Sequence, residues 1–230
     1  DLVARYIEAF VVRRSVNFRK FASSSIRYTM YTLVKEIRRT EVYELKAILK
    51  RKLDEMEEPW IGVQNFRLHG QNRVFVKFLL SRITSYIEQQ SGLNSSFEKY
   101  YHNPGGKSFE VEHILADKYA SHKEEFEQES DFHEYRNRIG ALVLLPRGTN
   151  QSYGAKSYDE KLNHYIKENL LVQSLCPLTY QNNPNFLSMK NKLALPFKFH
   201  EEFRRADISD RQKLYQAICE SIWGTKYFCI

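Results

Sequence analysis

The chain has 230 residues, of which 42% are hydrophobic and 14% are aromatic, and its formal net charge is +7 at pH 7. This length and composition predict a globular protein with a sizeable core, in one large or two small domains. No apolar run reaches the eighteen or so residues that a membrane span needs, which excludes a membrane-embedded class. The excess of positive charge favours nucleic acid as a partner.

The first residues, Asp1-Leu2-Val3-Ala4-Arg5, have neither an initiator methionine nor the layout of a signal peptide. We therefore expect a piece of a longer protein. The three cysteines match neither a metal knuckle nor a disulfide framework in their spacing, so we expect reduced thiols and a cytoplasmic location.

Helical spacing of apolar residues dominates the first hundred positions. Two helices are predicted between Leu2 and Ile37, and two more over 41–56 and 74–89. The connection between the first two is basic, and its arginines suit phosphate binding; the alternative is a solvated helix face. The turn sequence over 103–106 marks a boundary, so we predict a helical scaffold over 1–103 and a mixed region with C-terminal helices over 104–230.

Two short strands are predicted after this boundary. Residues 109–115 alternate between apolar and polar, and 136–145 form a nearly continuous apolar run that Pro146 closes. Between them, 117–135 is expected to be an exposed helix or a long loop. A turn-rich bend over 147–154 follows, and then a helix that Ser157 and Glu160 begin as a capping box. A last helix is predicted from Ile208, with Gly224 as its C-cap.

Four polar residues would meet if the two strands pair antiparallel and the next helix packs across them: Glu112, His113, Asn137 and Asn150. Carboxylate and amide oxygens are hard ligands suited to Mg²⁺ or Mn²⁺. Neutral imidazole can take a proton from water at neutral pH. A metal with such a base beside it predicts phosphodiester hydrolysis.

The order Glu-His-Ile on one strand, Asn-x-Ile-Gly-x-Leu-x-Leu-Leu on the next, and an Asn in the bend before a helix resembles the HNH nucleases with their ββα-metal, or His-Me, finger. More narrowly, it is similar to the C-terminal nuclease part of GmrSD-type and SspE-like restriction and phage-defence proteins. The resemblance covers about 109–161. It implies a mainly α fold with a small embedded ββα-metal finger, made of an antiparallel two-strand hairpin plus a helix.

The resemblance also implies roles for individual residues. His113 would be the general base, with Glu112 and Asn150 as metal ligands. Asn137 would brace the finger and hold the histidine, and Lys156 would lie near the phosphate. Four arginines are expected to contact nucleic acid: Arg13, Arg14, Arg138 and Arg147.

Two positions depart from the family pattern. Leu115 or Ala116 stands where proline is usual, and Ala141 replaces an asparagine. Neither change removes the base or the carboxylate, so we expect an active metal-dependent DNA endonuclease or nickase. The expected partners are DNA and an N-terminal nucleotide-dependent sensor domain. The sequence also leaves a homo-oligomer as a possible state. The alternative is a non-catalytic nucleic-acid-binding module that uses the basic helices over 13–27 and 46–52.

Overall fold

The computed structural model describes residues 1–103, 106–153 and 156–229, except for the side chains of Ser25, Asn150 and Gln151. It is mainly helical, as predicted. The α-helices of the described part are α1 (Leu2–Val16), α2 (Ser23–Ile37), α3 (Val42–Asp54), α4 (Arg73–Gln90), α5 (Phe97–Tyr101), α6 (Glu129–Asn137), α7 (Arg147–Tyr153), α8 (Tyr158–Tyr165), α9 (Leu170–Gln173), α10 (Pro177–Asn182), α11 (Pro184–Lys192) and α12 (Arg205–Trp223).

Two strands form a small antiparallel sheet, as the sequence predicts. Strand β1 (Phe109–His113) pairs with β2 (Leu142–Pro146), and His113 lies opposite Leu142. Alternate side chains of β2 enter two different hydrophobic clusters. Leu142 and Leu144 pack with the N-terminal helices and α12, whereas Val143 and Leu145 pack with the residues around α6 and α8. Burial on both faces explains why β2 is a continuous apolar run.

Some predicted boundaries are wrong. The second strand begins at Leu142 and not at 136, because the polar residues before it complete helix α6. The segment before β2 is also less exposed than predicted, since Phe126 and Phe132 are buried. The bend predicted over 147–154 contains helix α7. The last helix begins at Arg205, three residues before the predicted start at Ile208.

Helix α12 fixes the start of β2. The guanidinium of Arg211 donates through Nε to the carbonyl of Gly140 at 3.1 Å and through Nη2 to the hydroxyl of Tyr215 at 2.7 Å. That hydroxyl donates in turn to the carbonyl of Leu142 at 2.9 Å. A Cβ atom at Gly140 would lie 2.4 Å from the carbonyl oxygen of Ile208, so the close approach of helix and strand requires glycine there.

The thiols are free, as expected: Cys176 and Cys219 are buried and Cys229 is exposed. Among the described residues, no helix is long and apolar enough to cross a bilayer.

Candidate active site

His113, the last residue of β1, contacts Asn137, the last residue of α6. The distance from His113 Nε2 to Asn137 Oδ1 is 3.0 Å. The amide nitrogen of Asn137 donates to the carbonyl of His133 at 2.8 Å, which orients the amide with its oxygen toward the imidazole. An amide oxygen can only accept, so Nε2 carries the imidazole proton and Nδ1 keeps a lone pair. This tautomer is the one that a base acting through Nδ1 needs.

Backbone hydrogen bonds hold Asn137 in place. Its carbonyl accepts from the amide of Leu68 at 2.8 Å, and the amide of Ile139 donates to the carbonyl of Phe66 at 3.0 Å. The chain therefore leaves α6 along the segment that precedes α4. The fold brings His113 and Asn137 together as predicted. Asn137, however, lies at the end of helix α6 and not on a second strand.

Glu112 points away from this pair and into the protein. Its Oε1 atom accepts from Lys161 Nζ at 2.6 Å, and both side chains are buried. Lys161 Nζ also donates to the carbonyls of His113 at 2.7 Å and Ile114 at 3.2 Å, so all three of its protons have partners. Burial raises the pKa of Glu112 and lowers the pKa of Lys161, while their mutual attraction opposes both changes.

The described residues do not fit a resident divalent ion in this arrangement. The carboxylate predicted as a ligand, Glu112, has the ammonium of Lys161 as its partner. In the described part of the chain, no group of three His, Cys, Asp or Glu residues is arranged to hold a metal. The side chain of Asn150, the second predicted ligand, lies outside the described residues. The metal-ligand roles of Glu112 and Asn150 therefore stay predictions.

Arg136 is a cation beside His113 that the sequence analysis did not select. Its Nε atom donates to the carbonyl of Leu115 at 3.0 Å, and Nη1 lies 3.9 Å from the exposed carboxylate of Asp117. The side chain of Arg136 is 14% exposed. It is therefore fixed by one strong bond and retains donors for an anion. Its position directly before Asn137 is the signal that could have identified it.

Burial and the charge of Arg136 lower the pKa of His113 from 6.5 to about 4. The imidazole is therefore neutral, and able to act as a base, throughout the physiological range.

This pKa predicts a measurable titration. In EDTA, the imidazole NMR signal of His113 should titrate with a pKa of about 4, well below the 6.5 of an ordinary histidine, because burial and Arg136 oppose its protonation. The His113→Gln variant assigns the signal. A midpoint near 6.5 for His113 would contradict the buried geometry.

The remaining residues predicted to contact phosphate or DNA differ in exposure. Lys156 Nζ lies 3.3 Å from His164 Nε2 and above the ring of Tyr153. Arg138 pairs with Glu134 at 3.0 Å and stacks on the ring of Tyr135. Arg147, in the first turn of α7, is 65% exposed, and its Nε lies 3.6 Å from Glu110. Arg147 is thus the most accessible cation among the three.

Arg13 and Arg14 make internal contacts instead. The guanidinium of Arg13 donates to the carbonyls of Leu53, Met56 and Glu58, and so closes the C-terminal end of α3. Arg14 pairs with the carboxylate of Glu58 at 3.1 Å. These bonds leave Arg13 little capacity for phosphate, and its predicted DNA contact, like that of Arg14, stays a prediction.

Strands β1 and β2, His113 and Asn137 all lie in a region that is similar to a known class of proteins, the restriction endonucleases. The family model described as "GmrSD restriction endonucleases, C-terminal domain" matches residues 33–217. Because this match covers most of the chain, the protein belongs to that family, and the predicted resemblance to it is confirmed. No curated protein and no solved structure matches the chain.

Proposed function

We propose that the protein is a DNA endonuclease or nickase that hydrolyses phosphodiester bonds, and that it acts as the effector part of a restriction or anti-phage defence protein. The observation that carries this proposal is the contact of His113 with Asn137, inside the region that matches the restriction endonuclease family. The contact fixes the imidazole in the tautomer that leaves Nδ1 free to accept a proton. The net charge of +7 supports a polyanionic substrate.

In the proposed reaction, His113 Nδ1 takes a proton from water as the water oxygen attacks phosphorus. The bond from phosphorus to the 3′ oxygen breaks, and the leaving oxygen takes a proton from solvent. The products carry a 5′ phosphate and a 3′ hydroxyl. Arg136 is held by the carbonyl of Leu115, two residues after His113, and its remaining guanidinium donors can attract the phosphate oxygens on which negative charge accumulates.

A requirement for Mg²⁺ or Mn²⁺ is part of the proposal and follows from the family resemblance. A divalent ion would neutralise charge on the phosphate and the leaving oxygen. Because the described residues do not fit such an ion, we assign it no step.

Plasmid cleavage tests the proposal. Supercoiled DNA incubated with the protein and Mg²⁺ or Mn²⁺ should become open circular, because one site cuts one strand at each binding event. Parallel reactions in EDTA measure the metal requirement, and a His113→Gln preparation controls for contaminating nuclease. Supercoiled DNA that persists in every arm would overturn the proposal, whereas cleavage in EDTA would overturn only the metal requirement.

The buried pair of Glu112 and Lys161 favours a second candidate function, that of a non-catalytic DNA-binding module. In this case the carboxylate of Glu112 stays paired with Lys161, and the protein only binds DNA through its basic surface. The module would bind DNA in a salt-sensitive manner and cleave none of it under any divalent-ion condition.

A further inference from the structure

Helix α2 presents a distinct outer face to solvent. Five of its exposed side chains lie within about 120° of one another at 100° per residue: Arg27, Tyr28, Tyr31, Val34 and Lys35. Arg38, the C-cap residue, continues the same arc. The two tyrosines are 72% and 65% exposed, which is unusual for aromatic side chains of this size. We call these six residues the α2 outer face.

The inner face of the same helix is already occupied. Leu33 is buried, and three further apolar side chains pack against the main core: Ile26, Met30 and Ile37. The fold therefore uses the opposite side of α2 for its own stability. Substitutions on the α2 outer face should leave that packing intact.

The charge of the α2 outer face has one sign. No aspartate or glutamate lies on the arc, and none of Arg27, Lys35 and Arg38 forms an ion pair with any part of the chain that the structure describes. The one acidic residue of the helix, Glu36, faces α3 and pairs there with Arg51 and Lys52. The exposed carboxylates nearest in sequence, Glu41 and Glu44, belong to the start of α3 and not to this arc.

We propose that the α2 outer face binds a DNA strand outside the catalytic site. This inference rests on the proposed function in that it takes DNA as the substrate. The three cations would contact phosphates, and the two tyrosines would pack against bases or sugars. From Arg27 to Arg38 the helix rises about 16 Å, a length that covers about five phosphates at ~3.4 Å each.

Charge and composition favour DNA over a protein partner. A protein-docking helix carries aliphatic anchors along its exposed stripe, whereas the α2 outer face has Val34 as its single aliphatic residue. Tyrosine between unpaired cations is the composition of a strand-binding surface.

The test is DNA binding in EDTA, measured by fluorescence anisotropy over a series of salt concentrations with labelled duplex and single-stranded DNA. The triple variant Arg27→Gln/Lys35→Gln/Arg38→Gln should bind at least tenfold more weakly at low salt. Its salt dependence should fall by about 0.9 per lost phosphate contact on duplex DNA. Tyr28→Ser/Tyr31→Ser should weaken binding of single-stranded DNA by at least fivefold, because the variant loses two aromatic rings on which bases can stack.

A matched control removes three positive charges elsewhere. Arg73→Gln/Lys167→Gln/Lys192→Gln changes three exposed cations outside α2 that form no ion pair among the described residues, and it should change affinity less than threefold. Equal losses in both triple variants, or no loss in the first, would overturn the inference. Absence of plasmid cleavage with α2-dependent binding intact would instead contradict the nuclease proposal alone.

Discussion

Replacing His113 by glutamine should lower the rate of plasmid cleavage by about 10²–10⁴-fold, the usual contribution of a positioned general base. Glutamine keeps a polar side chain at the end of β1 and can still donate to Asn137, but it cannot accept a proton from water at neutral pH. The loss should therefore appear in the rate and not in DNA affinity. Initial rates of supercoiled-plasmid loss, with binding measured in EDTA, separate the two.

His133→Gln is the matched control for this variant. His133 is a partly exposed histidine of α6 whose carbonyl, and not its imidazole, accepts the bond from Asn137. Its substitution should leave the cleavage rate within twofold of the unchanged protein. Equal activity in the His113→Gln and His133→Gln proteins would show that His113 is not the base.

The sequence predicted the long elements well because their apolar periodicity reflects which face is buried. Helices α1 and α2 lie between Leu2 and Ile37 as predicted, and α3, α4 and strand β1 lie within two residues of their predicted bounds. The sequence pattern predicts a strand at Asn137 because a polar pair followed by an apolar run resembles one continuous strand. Backbone hydrogen bonds with residues 66–68 hold Asn137 at the end of a helix. These partners are distant in sequence, so the local pattern does not show them.

The segment 147–153 shows a different limit. Glycine, threonine and asparagine at its start favour turns, yet these residues form a helix that directly follows β2. Packing of α7 against both strands outweighs the local preference for a turn. The sequence of the segment alone does not indicate this packing. The candidate metal ligand Asn150 lies in this helix, so its role could not be judged from spacing alone.

Lys161 is the clearest residue that sequence reasoning missed. A lysine in the first turns of a helix with a capping box is ordinarily solvated, and the predicted apolar stripe of α8 passes next to it. In the structure, Lys161 and Tyr165 share the buried face of α8. The spacing of four residues between them was the available signal. Only the position of the buried Glu112 explains why a cation occupies that face.

Replacing Lys161 by methionine should lower the free energy of unfolding by about 3–5 kcal/mol, the cost of leaving one member of a buried ion pair without its partner. The change leaves the carboxylate of Glu112 buried and uncompensated, and it removes the bonds to the carbonyls of His113 and Ile114. Since whole domains have ~5–15 kcal/mol of stability, this is a large fraction. Urea denaturation followed by circular dichroism measures it.

Lys167→Met is the control, because Lys167 is an exposed lysine just beyond the same helix and its substitution should cost less than about 0.5 kcal/mol. The double variant Glu112→Gln/Lys161→Met should be more stable than Lys161→Met alone, since it no longer buries a lone charge. If both lysine variants unfold at the same urea concentration, the buried pair does not stabilise β1. The Glu112→Gln variant also tests whether Glu112 is a metal ligand. A loss of cleavage in this variant identifies a ligand only if the variant protein keeps the stability of the unchanged chain.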